Sequence, residues 1–84
     1  MIDYYQKAPF VTIKQMDGCI KFEKNNEQPL YFNNKEKILT LEILCKYGKV
    51  EINDITREGK PVDINLLNDL VNKGLLESCM DLFP

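Results

Sequence analysis

An Asp17-Gly18 dipeptide stands between two stretches of alternating apolar and polar residues, and no other feature constrains the fold as tightly. Phe10-Val11-Thr12-Ile13-Lys14-Gln15 places Val11 and Ile13 on one side of an extended chain and Thr12 and Lys14 on the other. Cys19-Ile20-Lys21-Phe22-Glu23-Lys24 repeats the pattern, with Ile20 and Phe22 facing inward. Asp-Gly is a strong short-range hairpin signal, so the two stretches are expected to pair antiparallel. Asn25-Asn26-Glu27-Gln28 then supplies a second turn, and Pro29-Leu30-Tyr31-Phe32 a short third strand. A proline at a strand's start suits an edge position, where its missing N–H faces no partner.

Helical signals fill the rest of the chain. Asn33 is expected to cap the first helix, with Glu36 completing a capping box. Ile38, Leu41 and Cys45 form one apolar stripe, Leu39, Ile43 and Tyr47 an adjacent one, and Leu44 lies beside the first. So broad a face predicts a central helix covered on two sides. Gly48 is the expected left-handed stop. A second short helix is predicted from about Glu51 to Arg57, with Val50, Ile52 and Ile55 tucked inward. Asp63 is the expected cap of a third, in which Leu66, Leu67, Leu70 and Val71 make the buried stripe. Gly74 ends it, Leu75-Leu76 runs on extended, and the apolar tail Met80 to Pro84 is expected to pack back onto the domain. The expected fold class is therefore α+β: a three-stranded antiparallel sheet followed by three helices, winged-helix-like, with residues 1–84 forming one domain whose core spans about 10–78.

Composition narrows the function. The chain has no histidine, and its three cysteines, Cys19, Cys45 and Cys79, are widely spaced, so a zinc site is not expected. The four glycines stand apart, which excludes a glycine-rich phosphate loop. Without histidine, acid–base catalysis at neutral pH needs a strongly shifted group in a deep pocket, and a chain of 84 residues has little core to build one. No enzymatic activity is expected. There is no long apolar run and no signal-peptide pattern at the N-terminus, so a cytoplasmic location is expected, with no membrane partner.

The third helix is the segment that would enter a DNA groove in a winged-helix reader. Its charge argues against that role. Residues 1–50 carry eight lysines against six acids, for a net charge of +2, whereas residues 51–84 carry three bases against seven acids, for −4. The helix itself holds Asp63 and Asp69 against Lys73. Affinity for nucleic acid depends on cations at phosphates, so nucleic acid is an unlikely partner. Only eight residues follow Leu76, too few for a wing hairpin.

A strand that ends a meander leaves an edge free, and adding a peptide strand to such an edge is a known mode of recognition. Leu30, Tyr31 and Phe32 are the candidate edge. Leu66, Asp69, Leu70 and Lys73 of the third helix are the candidate second wall. The main-chain donor of Leu30 is expected to serve the incoming strand, and Asn68 is expected to contribute nothing to it.

The segments "LYFNNKEKILTLEILCKYG" and "VDINLLNDLVNKGLLES" resemble those of the RiPP precursor peptide recognition element, the peptide-chaperone family of pyrroloquinoline quinone biosynthesis protein D. Tyr31, Phe32 and Asn33 approximate the family's aromatic-Leu-Asn turn before the first helix. Leu67, Leu70, Gly74, Leu75 and Leu76 match its closing pattern. The resemblance spans about residues 10–78, departing at Phe32, where the family commonly has leucine, and in the short approach "REGKPVDIN". It implies a non-catalytic adaptor that needs no cofactor and binds the leader segment of a ribosomally synthesised precursor peptide. The adaptor would present that peptide to a separate maturation enzyme, such as a radical SAM protein, cyclase or leader protease. The competing expectation is a winged-helix-like regulator of phage or plasmid origin that binds DNA or another protein.

Overall fold

The computed structural model describes residues 2–81. Its elements run β1 (Tyr4–Lys7), β2 (Val11–Met16), β3 (Cys19–Lys24), β4 (Leu30–Phe32), α1 (Lys35–Tyr47), β5 (Lys49–Glu51), α2 (Ile64–Asn72) and β6 (Leu76–Cys79). They form two antiparallel three-stranded sheets, ordered β5-β1-β6 and β2-β3-β4, with two helices. The expectation of one sheet followed by three helices, winged-helix-like, is thus overturned. The hairpin and its third strand fall where the alternation places them, and Met16 faces Cys19 across a two-residue turn.

The missing helix is the one predicted at about Glu51–Arg57. Val50, Ile52, Ile55 and Thr56 are all β-branched, and seven residues are too few to offset the cost of helix nucleation. Local polar groups offer the backbone other partners. The Asp54 carboxylate accepts from the Glu51 amide at 2.8 Å, and the Thr56 amide donates to the Lys60 carbonyl at 2.8 Å. Val50 instead joins β5, opposite Tyr5 of β1.

That second sheet was not foreseen. β1 is four residues long and buries only Tyr5 fully, so it carries no readable alternation. Its neighbours β5 and β6 are three and four residues long, and β6 is the extended run that follows Gly74.

The helices follow their caps. Asn34 rather than Asn33 caps α1, its side chain accepting from the Glu36 amide at 2.9 Å and the Lys37 amide at 3.3 Å, so Glu36 closes no capping box. Gly48 ends α1 in the left-handed region, as expected. Asp63 caps α2 by accepting from the Leu66 amide at 3.0 Å. The buried Thr40 hydroxyl accepts from the Asp63 amide at 2.9 Å, which ties that cap to α1.

The core draws on both sheets and both helices, with Tyr5, Ile20, Phe22, Leu41, Leu67 and Leu70 among its fully buried side chains. Cover along α1 is uneven: Leu39, Leu41 and Leu44 are buried, Ile38, Ile43 and Cys45 are half-buried, and Tyr47 is exposed. Of the tail, the Asp81 amide donates to the Asp3 carboxylate at 2.8 Å; Leu82, Phe83 and Pro84 lie outside the described residues.

Candidate functional site

Strand β4 pairs with β3 and, among the described residues, with no other strand. The register decides which of its main-chain groups are free. In a two-residue hairpin the flanking pair, Met16 and Cys19, is hydrogen-bonded, and hydrogen-bonded pairs alternate along an antiparallel ladder. Cys19, Lys21 and Glu23 therefore direct their amides and carbonyls toward β2, leaving those of Ile20 and Phe22 for β4. Ile20 faces Phe32 and Phe22 faces Leu30, so both β4 residues turn their polar groups inward to β3. Tyr31, between them, points its N–H and C=O outward. The free donor at this edge is Tyr31 rather than Leu30, a correction that the hairpin register supplies.

Side chains around this edge are apolar or held in ion pairs, Lys21 with Glu23 and Lys24 with Glu27. Tyr31 lies on the outer face, the residue 56 % exposed, and the Lys21 ammonium stands 5.7 Å from the ring centroid. Lys21 is also 3.3 Å from Glu23. Their pairing raises the pKa of the ammonium and lowers that of the carboxyl. Phe32 turns to the other face, where it meets Phe22 edge-on at 5.6 Å between centroids, with the Lys37 ammonium 6.0 Å from its ring.

Helix α2 approaches β4 through its C-terminal end. Leu30, Phe22, Leu75, Lys24 and Lys73 surround a hollow of about 410 Å³, with Glu27 and Gln28 at its rim. Gly74 holds a left-handed φ of +76°, and a Cβ there would sit 2.9 Å from the Lys24 ammonium. The turn after α2 is thus shaped both by backbone and by close approach to β3.

The seven candidate residues divide into two groups. Leu30, Tyr31, Phe32 and Lys73 border the edge or its hollow, and Asp69 is joined to Lys73 by a 2.6 Å ion pair one turn away. Leu66 and Leu70 are buried in the core, where they support α2 and present no surface. Lys24, Gln28 and Leu75 were missed as part of the site. Leu75 was visible as an apolar residue after a helix stop, whereas the approach of Lys24 to Gly74 depends on a contact across fifty residues.

No family model, curated protein or solved structure matches this chain. The site must be read from its own chemistry.

Among the described residues no group of three or more acidic or cysteine side chains converges as a metal site. Burial pushes the Cys45 thiol pKa up, with the Glu42 charge adding to the effect, so this cysteine is a poor nucleophile at neutral pH. No helix among the described residues is long and apolar enough to cross a membrane. On α2, Asn68 accepts a 2.6 Å hydrogen bond from the hydroxyl of the buried Tyr5. Lys73, at the C-terminal cap of α2, is drawn to Asp69.

Proposed function

We propose that this chain is a non-catalytic adaptor that binds an extended peptide segment as an added strand on β4. The observation that carries this reading is the outward-facing N–H and C=O of Tyr31, on an unpaired edge beside a hollow lined by Phe22, Leu30 and Leu75. Main-chain bonds to Tyr31 supply affinity, and the hollow accepts one side chain of the incoming strand. An apolar residue fits that hollow, whose two lysines are already paired, Lys24 with Glu27 at 3.7 Å and Lys73 with Asp69 at 2.6 Å.

The motif resemblance supports a particular class of peptide, the leader of a ribosomally made precursor in the cytoplasm. The same reading makes the partner enzyme a separate maturation enzyme, a radical SAM protein, cyclase or leader protease. The DNA-binding alternative is disfavoured, because α2 presents one cation already paired with an acid and an asparagine engaged by Tyr5.

The test is selection of binders from a displayed library of random linear peptides, followed by fluorescence anisotropy with a labelled selected peptide. Saturable binding at tens of micromolar or tighter, competed by the unlabelled peptide, is the expected result. Failure to enrich any peptide, together with steeply salt-dependent binding to random duplex DNA, would overturn the proposal.

A further inference from the structure

We infer that a second surface, formed by the open side of α1 and the loop that replaces the expected helix, binds another copy of this chain about a two-fold axis. This inference stands apart from the peptide reading, since the surface shares no residue with the β4 edge.

The surface is centred on Ile43, Tyr47 and Ile55. Tyr47 is 66 % exposed and Ile55 58 %, unusual values for large apolar side chains that lie side by side. Two hollows, of about 520 and 400 Å³, flank this ridge, and all three residues line both. Of the apolar stripe expected under cover, Leu39 is buried, whereas Ile43 is half-open and Tyr47 is open to solvent.

Charge selects the occupant. The rim of the larger hollow carries Lys46 and Arg57 against Glu42, for a net charge of +1. The rim of the smaller carries Lys49 against Glu51 and Asp54, for −1. A two-fold axis through the ridge exchanges the hollows, so each basic rim meets the acidic rim of the other copy while the two ridges meet at the centre. Such self-complementarity is what an isologous interface needs. A standard interface takes about 800 Å² per partner, roughly one-seventh of this chain's 5736 Å² surface. A dimer held by this patch is expected to dissociate on dilution. Both β4 edges stay free in it, which makes the dimer bivalent.

Sedimentation equilibrium from micromolar to millimolar concentration tests the inference on the full chain. The wild type is expected to pass from monomer to dimer, and Ile55→Asp, an exposed position, to stay monomeric while keeping its circular dichroism spectrum. Lys46→Glu turns the larger rim to −1, and Glu51→Lys turns the smaller to +1. Each variant alone then opposes like charges at both contacts and stays monomeric where the wild type is dimeric. Mixed in equal amounts, they match opposite charges at both contacts and recover the dimer. A wild type that is monomeric throughout, variants that dimerise as the wild type does, or a mixture that stays monomeric would each overturn the inference.

Discussion

Replacing Tyr31 by proline separates main-chain recognition from side-chain packing at the β4 edge. Proline removes one N–H, and at Tyr31 that N–H points away from β3. The substitution therefore breaks no bond of the sheet, and the extended backbone that proline demands of Leu30 is already present. Tyr31→Ala controls for the lost ring. Relative to that control, Tyr31→Pro loses one hydrogen bond to the added strand and leaves a peptide carbonyl unmatched, about 1–3 kcal/mol. That corresponds to roughly a 5- to 150-fold weaker Kd. Leu30→Pro has the opposite signature, because its N–H serves the β3–β4 ladder and its loss lowers the urea midpoint. Anisotropy with a selected labelled peptide and urea unfolding of all three variants supply the comparison. Equal affinities for Tyr31→Pro and Tyr31→Ala, or a Leu30→Pro variant that unfolds like the wild type, would refute the register argument.

The remaining predictions concern positions where the structure fixes a sign. Asn68→Ala leaves the buried Tyr5 hydroxyl without its partner and is expected to cost about 1–3 kcal/mol in urea unfolding, whereas Tyr5→Phe, which leaves the exposed Asn68 to water, costs about 1 or less. Phe10 occupies the third position of the Ala8–Val11 turn at a φ of +65° while 81 % exposed, so Phe10→Gly relieves strain with little lost burial; after the entropy cost of glycine a gain of about 0.5–1 kcal/mol is expected. Gly74→Ala is strained by the left-handed φ, while the Lys24 ammonium, at the tip of a flexible side chain, moves aside; a loss of about 1–2 kcal/mol is expected, with a thermal scan as the check. Cys45 is expected to alkylate more slowly than a free thiol at pH 8, since burial raises its pKa; as pH climbs past the ordinary thiol value the unfolded chain ionises first, and stability falls.

What the sequence made legible were the elements with strong local signals. The hairpin announced itself by alternation about Asp17-Gly18, and α2 by an Asp63 cap, a leucine stripe and a Gly74 stop. The second sheet left no such trace. Its strands are three or four residues long, and β1 finds partners near residue 50 and near residue 77 through pairing that no local pattern encodes. The segment Glu51–Arg57 had helical spacing of Ile52 and Ile55, but β-branching and the Asp54 and Thr56 side chains favoured turns. At the site, the edge Leu30–Phe32 was legible because it closes the meander. Which residue offers the free donor was not, because that follows from a hydrogen-bond parity set at the distant Met16–Cys19 pair. Leu66 and Leu70 were placed on the wall by helical spacing alone, and the unforeseen sheet is what draws α2 inward around them.

The central claim is that a peptide joins the protein through the open edge of β4, and amide hydrogen exchange read by NMR tests it most directly. In the free protein the Tyr31 amide should exchange quickly, while those of Leu30 and Phe32 are slowed by their bonds to β3. On saturation with a selected peptide, the Tyr31 amide should become protected and those of Leu30 and Phe32 change little. Tight binding that leaves the Tyr31 amide exchanging as before would contradict strand addition at this edge.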